Sequence, residues 1–285
     1  MPGQFCISID LELAWGVWDH LTDDYISRCS KLERSIVQRL LATLDRYEIS
    51  ATWAIVGNLL LDAAQMSRGG KEVWYAPDLI EAIKSARTPQ EIGSHSFKHV
   101  YFPSISPDEA QSDIDAARRI HAERQLAFNS FVFPRNMVGH EAILASAGIK
   151  VFRSVDRGWY TAVARVNRFA GRLAHLVDNM LPIPPSTVVP IRHPNGLVEL
   201  QSSMLLMSRN GARKLVSSSV LTSKARLGLQ AAARRNEVFH LWFHPSNFYH
   251  STDSQFQAFD RILAIAATMR DRGHIEAMTM GAFAA

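Results

Sequence analysis

The sequence predicts an α/β fold whose parallel strands close into a barrel-like sheet. Three observations carry that expectation. Strand-like and helix-like segments alternate from the first residues onward, the pattern of strands joined by crossover helices. Six or seven such units fit into 285 residues, a length at which an α/β barrel is commonly one domain, so a single domain over 1–285 is expected. The acids and histidines that could do chemistry fall at the C-terminal ends of strand-like runs or just beyond them, the rim where parallel α/β folds gather their sites. An open sheet is the weaker alternative.

Taken in order, residues 5–10 are a short β-rich run. Ser30 and Glu33 stand in the spacing of a capping box, which predicts a helix from there through Tyr47. A second strand covers 51–56 and stops at Gly57, and helical patterns follow near 58–66 and 77–87. Residues 91–94 form a short strand feeding a polar loop. Ser106-Pro107-Asp108-Glu109 joins an N-cap serine, a proline at the first helical position and a glutamate at the third, so a helix opens there and runs to about Leu126. Residues 130–133 make a strand stopped by Pro134; a helix near 139–147 ends at Gly148, and 150–154 is the next strand. Residues 163–181 read as a basic amphipathic helix, followed by a proline-rich crossing at 181–185 and a strand pair around 187–191 and 197–200. The series ends with a strongly β-forming run at 238–243, a long helix at 252–272 closed by Gly273, and a strand at 275–279.

Composition sets the outer limits. A hydrophobic fraction of 47% and a charged fraction of 20% supply one sizeable core and give no sign of disorder. The net charge of +4 leans on the second half, through Arg153, Arg157, Arg165, Arg168, Arg172, Arg192 and the basic residues from Arg209 to Arg235. No helix-turn-helix, zinc-finger or RNA-binding signature accompanies them, so nucleic acid is not an expected partner. A solvated surface, a phosphate-bearing substrate or peripheral contact with an anionic membrane would each suit this asymmetry. Cys6 and Cys29 make no metal-ligand spacing, and Cys6 reads as a small buried hydrophobe. The N-terminal segment lacks the charged and apolar regions of a secretory signal, and no run of about 18 apolar residues could span a bilayer. The expected compartment is the cytoplasm.

Within this frame a few residues stand out. Asp10 and Glu12 share one face of the first strand, roughly 7 Å apart along the backbone, near enough to serve one metal–water unit. A strand end fraying into solvent would look the same. Trp15 and Trp18, just after, fit an aromatic wall or the core. His95 and His99 lie four apart, and on one helical turn both could offer nitrogens to one cation. Their setting after a strand, Gly93 and Ser94 favours a metal over scattered surface histidines. His244 ends the run 238–243 beside Pro245, the place for an acid or base that titrates near neutrality. His240, on the same face but deeper, suits a hydrogen-bonded core. Arg135 follows Pro134 at another strand end, either to hold a carboxylate in its charged form or as a surface residue. Asp156 ends a further strand. One or two carboxylates, three histidines and an arginine are the inventory of a mononuclear metal hydrolase.

The motifs resemble those of the polysaccharide deacetylases, the NodB-homology group also classed as carbohydrate esterase family four. Ser8-Ile9-Asp10-Leu11-Glu12 resembles the first motif and Ala51-Thr52-Trp53-Ala54-Ile55-Val56-Gly57 the strand after it. Gly93-Ser94-His95-Ser96-Phe97-Lys98-His99 is similar to the second motif and is the strongest match. Phe133-Pro134-Arg135-Asn136, Ser154-Val155-Asp156-Arg157-Gly158-Trp159 and Leu241-Trp242-Phe243-His244 resemble the third, fourth and fifth. The likeness covers about 5–155 and 237–280, and implies a distorted (β/α)7, TIM-like barrel with an inserted segment around 157–236. It implies Asp10 as general base, Glu12, His95 and His99 as ligands of zinc or another divalent cation, Arg135 as the partner of Asp10, and His244 as the acid that protonates the leaving amine. A backbone N–H near Asn136 would join the metal in stabilising the oxyanion, and Asn136, Asp156, Trp159 and Trp15 would contact substrate. Two departures are visible: the acids are separated by Leu11 and the second is Glu, and the arginine follows the proline instead of preceding it.

The activity so implied is removal of an N-acetyl group from an N-acetylated sugar. With no leader expected, a cytoplasmic step in bacterial surface-glycan synthesis (O-antigen, capsule or exopolysaccharide) on a nucleotide- or lipid-linked sugar fits best. A metal-dependent amidohydrolase acting on a non-sugar amide such as a cyclic imide or ureide, and a non-catalytic glycan-binding protein on the same fold, stay open.

Overall fold

A computed structural model describes residues 1–284 except 63, 68, 156, 157, 159–162, 164, 165, 168, 172, 173, 175–177 and 179. Its strands are β1 (Gly3–Leu11), β2 (Thr52–Ile55), β3 (Glu91–Ser94), β4 (Ser130–Val132), β5 (Val151–Ser154), β6 (Ile191–Arg192), β7 (Val198–Gln201), β8 (Met204–Leu205), β9 (Val238–Phe243) and β10 (Ile275–Met278). The α-helices among the described residues are α1 (Asp23–Tyr47), α2 (Lys71–Trp74), α3 (Pro77–Lys84), α4 (Pro107–Glu123), α5 (Glu141–Ser146), α6 (Ser218–Arg235) and α7 (Thr252–Asp271).

β1 is the axis. Phe5, Ile7, Ile9 and Leu11 pack into the main core with residues of α1, α6 and α7, while Cys6 belongs to a second, smaller apolar cluster. Strand alternation puts Ser8 and Asp10 on the Cys6 side. β1 pairs in parallel with β9 along one edge, and on the other with β10 near its start and β2 near its end. The full path is β6-β7-β5-β4-β3-β2-β1-β9-β8, and only the β6–β7 pair of named strands is antiparallel. β7 and β8 sit near opposite ends of that path, yet only Ser202 and Ser203 separate them in sequence. The sheet must therefore curl until its ends meet. Ser202 N–H donates to Ser154 O and Ser203 N–H to His240 O across the closure. The result is the expected distorted α/β barrel.

Its interior is filled by Cys6, Ala54, Val132, Val151, Val198, Leu200 and Val238, with Met280 and Phe283 from the C-terminal turn. The opposite end of the interior, where the parallel strands finish, is polar and carries the site.

Ser106 caps α4 with a complete capping box, as expected. α1 starts earlier than the Ser30–Glu33 pattern suggests, because Thr22 accepts from Tyr25 N–H and Asp23 and Asp24 occupy the first turn. Among the described residues of 58–66 there is no α-helix, only a short 3-10 turn, Gly57–Leu60. The stretch 157–236, expected as an insertion, contributes β6, β7, β8 and α6 to the barrel. Much of the expected helix at 163–181 lies outside the described residues. Among those described, no helix is long and apolar enough to cross a membrane.

Candidate active site

Asp10, at the end of β1, is buried against Arg153 of β5 in a two-pronged ion pair: Nη1 to Oδ1 at 2.7 Å and Nη2 to Oδ2 at 2.6 Å. Nη1 also donates to Ser8 Oγ at 2.8 Å, Nε donates to Asn136 Oδ1 at 3.0 Å, and the guanidinium lies 4.4 Å from the Trp242 ring centre. Burial pushes the Asp10 carboxyl up, but Arg153, helped by His244 and His95, more than offsets it and holds the group below its usual range. Asp10 is therefore a buried carboxylate kept charged and fixed in direction.

Glu12 sits one residue past the strand. Its Oε2 lies 3.3 Å from His95 Nε2 and 3.0 Å from His99 Nε2, and its Oε1 lies 3.5 Å from His244 Nε2. Burial again raises its pKa, and His244 together with the His95 and His99 contacts pulls it well below the ordinary value. Gly16 makes room for this carboxylate: a Cβ there would stand 2.0 Å from Glu12 Oε1.

His95 follows β3 directly, and its Nδ1 is 2.8 Å from Val132 O. With Nδ1–H donating to that carbonyl, Nε2 carries the free lone pair, the arrangement metal-binding histidines use. His99 is reached through a loop, not along a helix: Ser96 and His99 both have left-handed backbones, φ 66° and 59°. Asp113 of α4 pins that loop by accepting from Phe97 N–H at 2.8 Å and Lys98 N–H at 3.0 Å. The metal-ligating atoms of Glu12, His95 and His99 all lie within 4.8 Å of one another.

Whether a cation fits here can be judged from His99. Its Nε2 is buried in ion contact with Glu12 Oε2, and neither ring nitrogen has a hydrogen-bond partner among the described residues. Buried polar atoms rarely go unserved. An unserved imidazole beside a carboxylate and a second imidazole whose tautomer is set from behind is a donor set suited to zinc.

His244 opens the turn Pro245–Phe248, its main-chain N–H held by Asn247 Oδ1 at 2.9 Å. Its Nε2 lies 3.6 Å from Asp10 Oδ2, so it faces both acids from the rim. These side chains line a cleft of about 330 Å³ together with Gly16, His20, Arg135, Asn136 and Trp242. His240, one layer below, bonds Ser8 Oγ at 2.9 Å and is held neutral by burial and Arg153, its pKa down to about 3.

Several expected placements differ. Arg135 does not reach Asp10; it pairs with Asp19 at 2.8 Å over the Tyr101 ring at the cleft mouth, because Arg153 already fills the interior position. Trp15 is core: its Nε1 donates to Trp74 O at 2.8 Å and its ring packs edge-on against Trp74. The main-chain N–H groups of Asn136 and Met137 are spent within their own turn, on Phe133 O at 2.8 Å and Pro134 O at 3.1 Å. Asp156 and Trp159 lie outside the described residues. Arg153, the central cation, was visible beforehand only as one of many basic residues. Its signal is an arginine between Phe152 and Ser154 in a short strand, sharing a face with Val151, which demands a buried anion.

A family model described as polysaccharide deacetylase matches residues 20–151, which bears out the resemblance read from the motifs. The match takes in His95, His99, Arg135 and Asn136; the fold brings Asp10, Glu12, Arg153 and His244 to them from outside it. No curated protein matches. Among solved structures, a provisionally named polysaccharide deacetylase from Mycobacterium smegmatis shares 15% identity, covers 100% of this chain and 90% of its own, and superposes with a TM-score of 0.67. One from Pseudomonas aeruginosa shares 11% over 99% of this chain and 90% of its own, with a TM-score of 0.62. An allantoinase shares 12% over 99% and 89%, also at 0.62. At these identities the likeness is one of fold.

Proposed function

Starting from the polysaccharide deacetylase signature over residues 20–151, we propose that this chain is a metal-dependent hydrolase that removes the acetyl group from an N-acetylated sugar. The observation that carries the reading is the gathering of Glu12, His95 and His99 beside a buried carboxylate, Asp10, that a guanidinium keeps charged. A divalent cation held by Glu12, His95 and His99, zinc by the character of the donors, would supply Lewis-acid polarisation of the acyl oxygen and a more acidic water. Asp10 can accept that water's proton without moving, since Arg153 fixes both of its oxygens. His244, at the rim, is placed to hand a proton to the departing amine. The cleft is at the small end of ligand pockets and suits one acetamido sugar unit better than a long stretch of polymer.

A phosphate-linked carrier, on a cytoplasmic precursor of a bacterial surface glycan, is the companion reading. Residues 157–192 hold five arginines against one aspartate, the whole of the chain's net +4. Val166, Phe169, Met180 and Leu181 in the same stretch are exposed. The stretch follows β5, whose end carries Arg153 at the site. Cations and exposed apolar groups there support a nucleotide- or lipid-linked sugar and a peripheral membrane contact.

The test is acetate release from N-acetylated sugars, free, nucleotide-linked and lipid-linked, with allantoin as the ureide control. The zinc-loaded protein should release acetate from at least one of them, lose this on chelation and regain it with zinc. Asp10→Asn and His244→Ala should each slow release about 10²- to 10⁴-fold. Turnover of the ureide alone, or none with any acetamido sugar, would overturn the reading.

A further inference from the structure

Besides Asp10 and Ser8, the Arg153 guanidinium orients Asn136. Its Nε donates to Asn136 Oδ1 at 3.0 Å. A guanidinium carries donors only, so the amide must turn its oxygen to Arg153 and its NH2 away from it. Asn136 lines the cleft with Asp10, Glu12, His99 and His244, and among the described residues nothing accepts a hydrogen bond from that NH2. The backbone supports the pose: Arg135 and Asn136 both adopt left-handed conformations at φ 53°, which asparagine tolerates better than most residues. The main-chain N–H of Asn136 is already used by Phe133 O. The side-chain amide is thus a donor that this turn presents to the cleft beside the Arg135 guanidinium.

We propose that Asn136 is a catalytic residue whose Nδ2 donates a hydrogen bond to the substrate's acyl oxygen as that oxygen gains charge, with Arg153 setting its direction. The inference rests on the deacetylase reading of the same site. One guanidinium holds both the Asp10 carboxylate and the Asn136 amide oxygen, and both residues line the same cleft. An acyl group attacked by a water that Asp10 activates would turn its oxygen towards that amide. A neutral donor fixed in advance against a developing oxyanion lowers the barrier because it needs no reorganisation.

Two variants test this. Asn136→Gly removes the amide and suits the positive φ. Asn136→Asp keeps the size and the contact with Arg153 but replaces the donor with an acceptor. Each should lower kcat about 10²- to 10³-fold with little change in KM, retain stoichiometric zinc, and weaken acetate binding to the zinc-loaded protein about tenfold by calorimetry. A loss confined to KM, near wild-type kcat in Asn136→Asp, or loss of zinc from both variants would overturn it. If the wild-type protein releases acetate from no acetamido sugar, the deacetylase reading falls and acetate binding decides for Asn136: equal affinity in wild type and both variants removes the donor, and the tenfold loss retains it.

Discussion

The two ends of the barrel interior each hold a carboxylate, and they treat it in opposite ways. At the end where the strands begin, Glu91 Oε1 accepts from Ser130 Oγ at 2.7 Å, and Oε2 accepts from Thr52 Oγ1 at 2.6 Å and Gly281 N–H at 3.0 Å. Met280 N–H donates to the same threonine hydroxyl at 2.8 Å, and the C-terminal turn covers the group. At the other end Asp10 and Glu12 face a guanidinium and three imidazoles, one with both nitrogens unserved, and the cluster opens into the cleft. Every oxygen of Glu91 is matched by neutral donors; the upper acids are matched by charge and leave capacity over. A closed polar network holds a fold together, whereas an unfinished one on a cleft waits for a ligand.

The largest break in that contrast comes from Arg153→Met. It strands the Asp10 carboxylate in the interior with its strongest partner removed, and losing one member of a buried pair costs about 3–5 kcal/mol. Urea unfolding at pH 7 should show that loss, and acetate release should fall with it because Asp10 is driven towards its protonated form. Arg153→Lys should recover only part of either, since an ammonium cannot serve both oxygens, Ser8 and Asn136 at once. A variant as stable as wild type would mean that Asp10 is not held as a buried anion.

How far the sequence disclosed this site depends on the range of the signals. Asp10 and Glu12 were legible because strand alternation is local, and His244 because a β-rich run ended on it. His95 and His99 were legible as a pair but not as a loop: their convergence depends on left-handed residues at 96 and 99 and on Asp113, well along in α4. The arginine was misplaced because Arg135 follows a strand end as an expected motif would, whereas Arg153 owes its role to where β5 lies in the sheet. β8 is two residues long and exists because the barrel has to close, a condition no local pattern records. Trp15 shows the converse limit, since a tryptophan beside an acid suits wall and core equally until α2 brings Trp74 against it.

A further buried carboxylate sharpens the comparison. Glu33 of α1 is buried outside the barrel and takes one strong donor, the Tyr249 hydroxyl at 2.5 Å. Burial outweighs that bond, and its pKa rises to about 7 from an ordinary 4.5. A carboxyl raised in the folded state stabilises below its unfolded pKa, and that contribution is lost as pH climbs through the folded one. The contribution of Glu33 to stability should therefore decline between pH 4.5 and 7, by up to about 3 kcal/mol. Glu33→Gln should remove that part of the slope in urea titrations across the window. An unchanged slope would mean that Glu33 is already ionised in the folded state across this window.

The smallest effect belongs to Glu91→Gln. The amide keeps the shape: its oxygen can still accept from the Thr52 hydroxyl and Gly281 N–H, and its NH2 can donate to Ser130 Oγ once that hydroxyl rotates to accept, so only the charge assistance of these bonds is lost, about 1 kcal/mol. Zinc content and acetate release should stay at wild-type levels, because the network closes on itself within the lower end. Glu91 and His95 are joined through β3, only a few residues apart, so the variant also asks whether strain passes along the strand. If acetate release drops by more than the fraction unfolded explains, the lower network positions His95 and the two ends act as one device; if it holds, they share a barrel and nothing more.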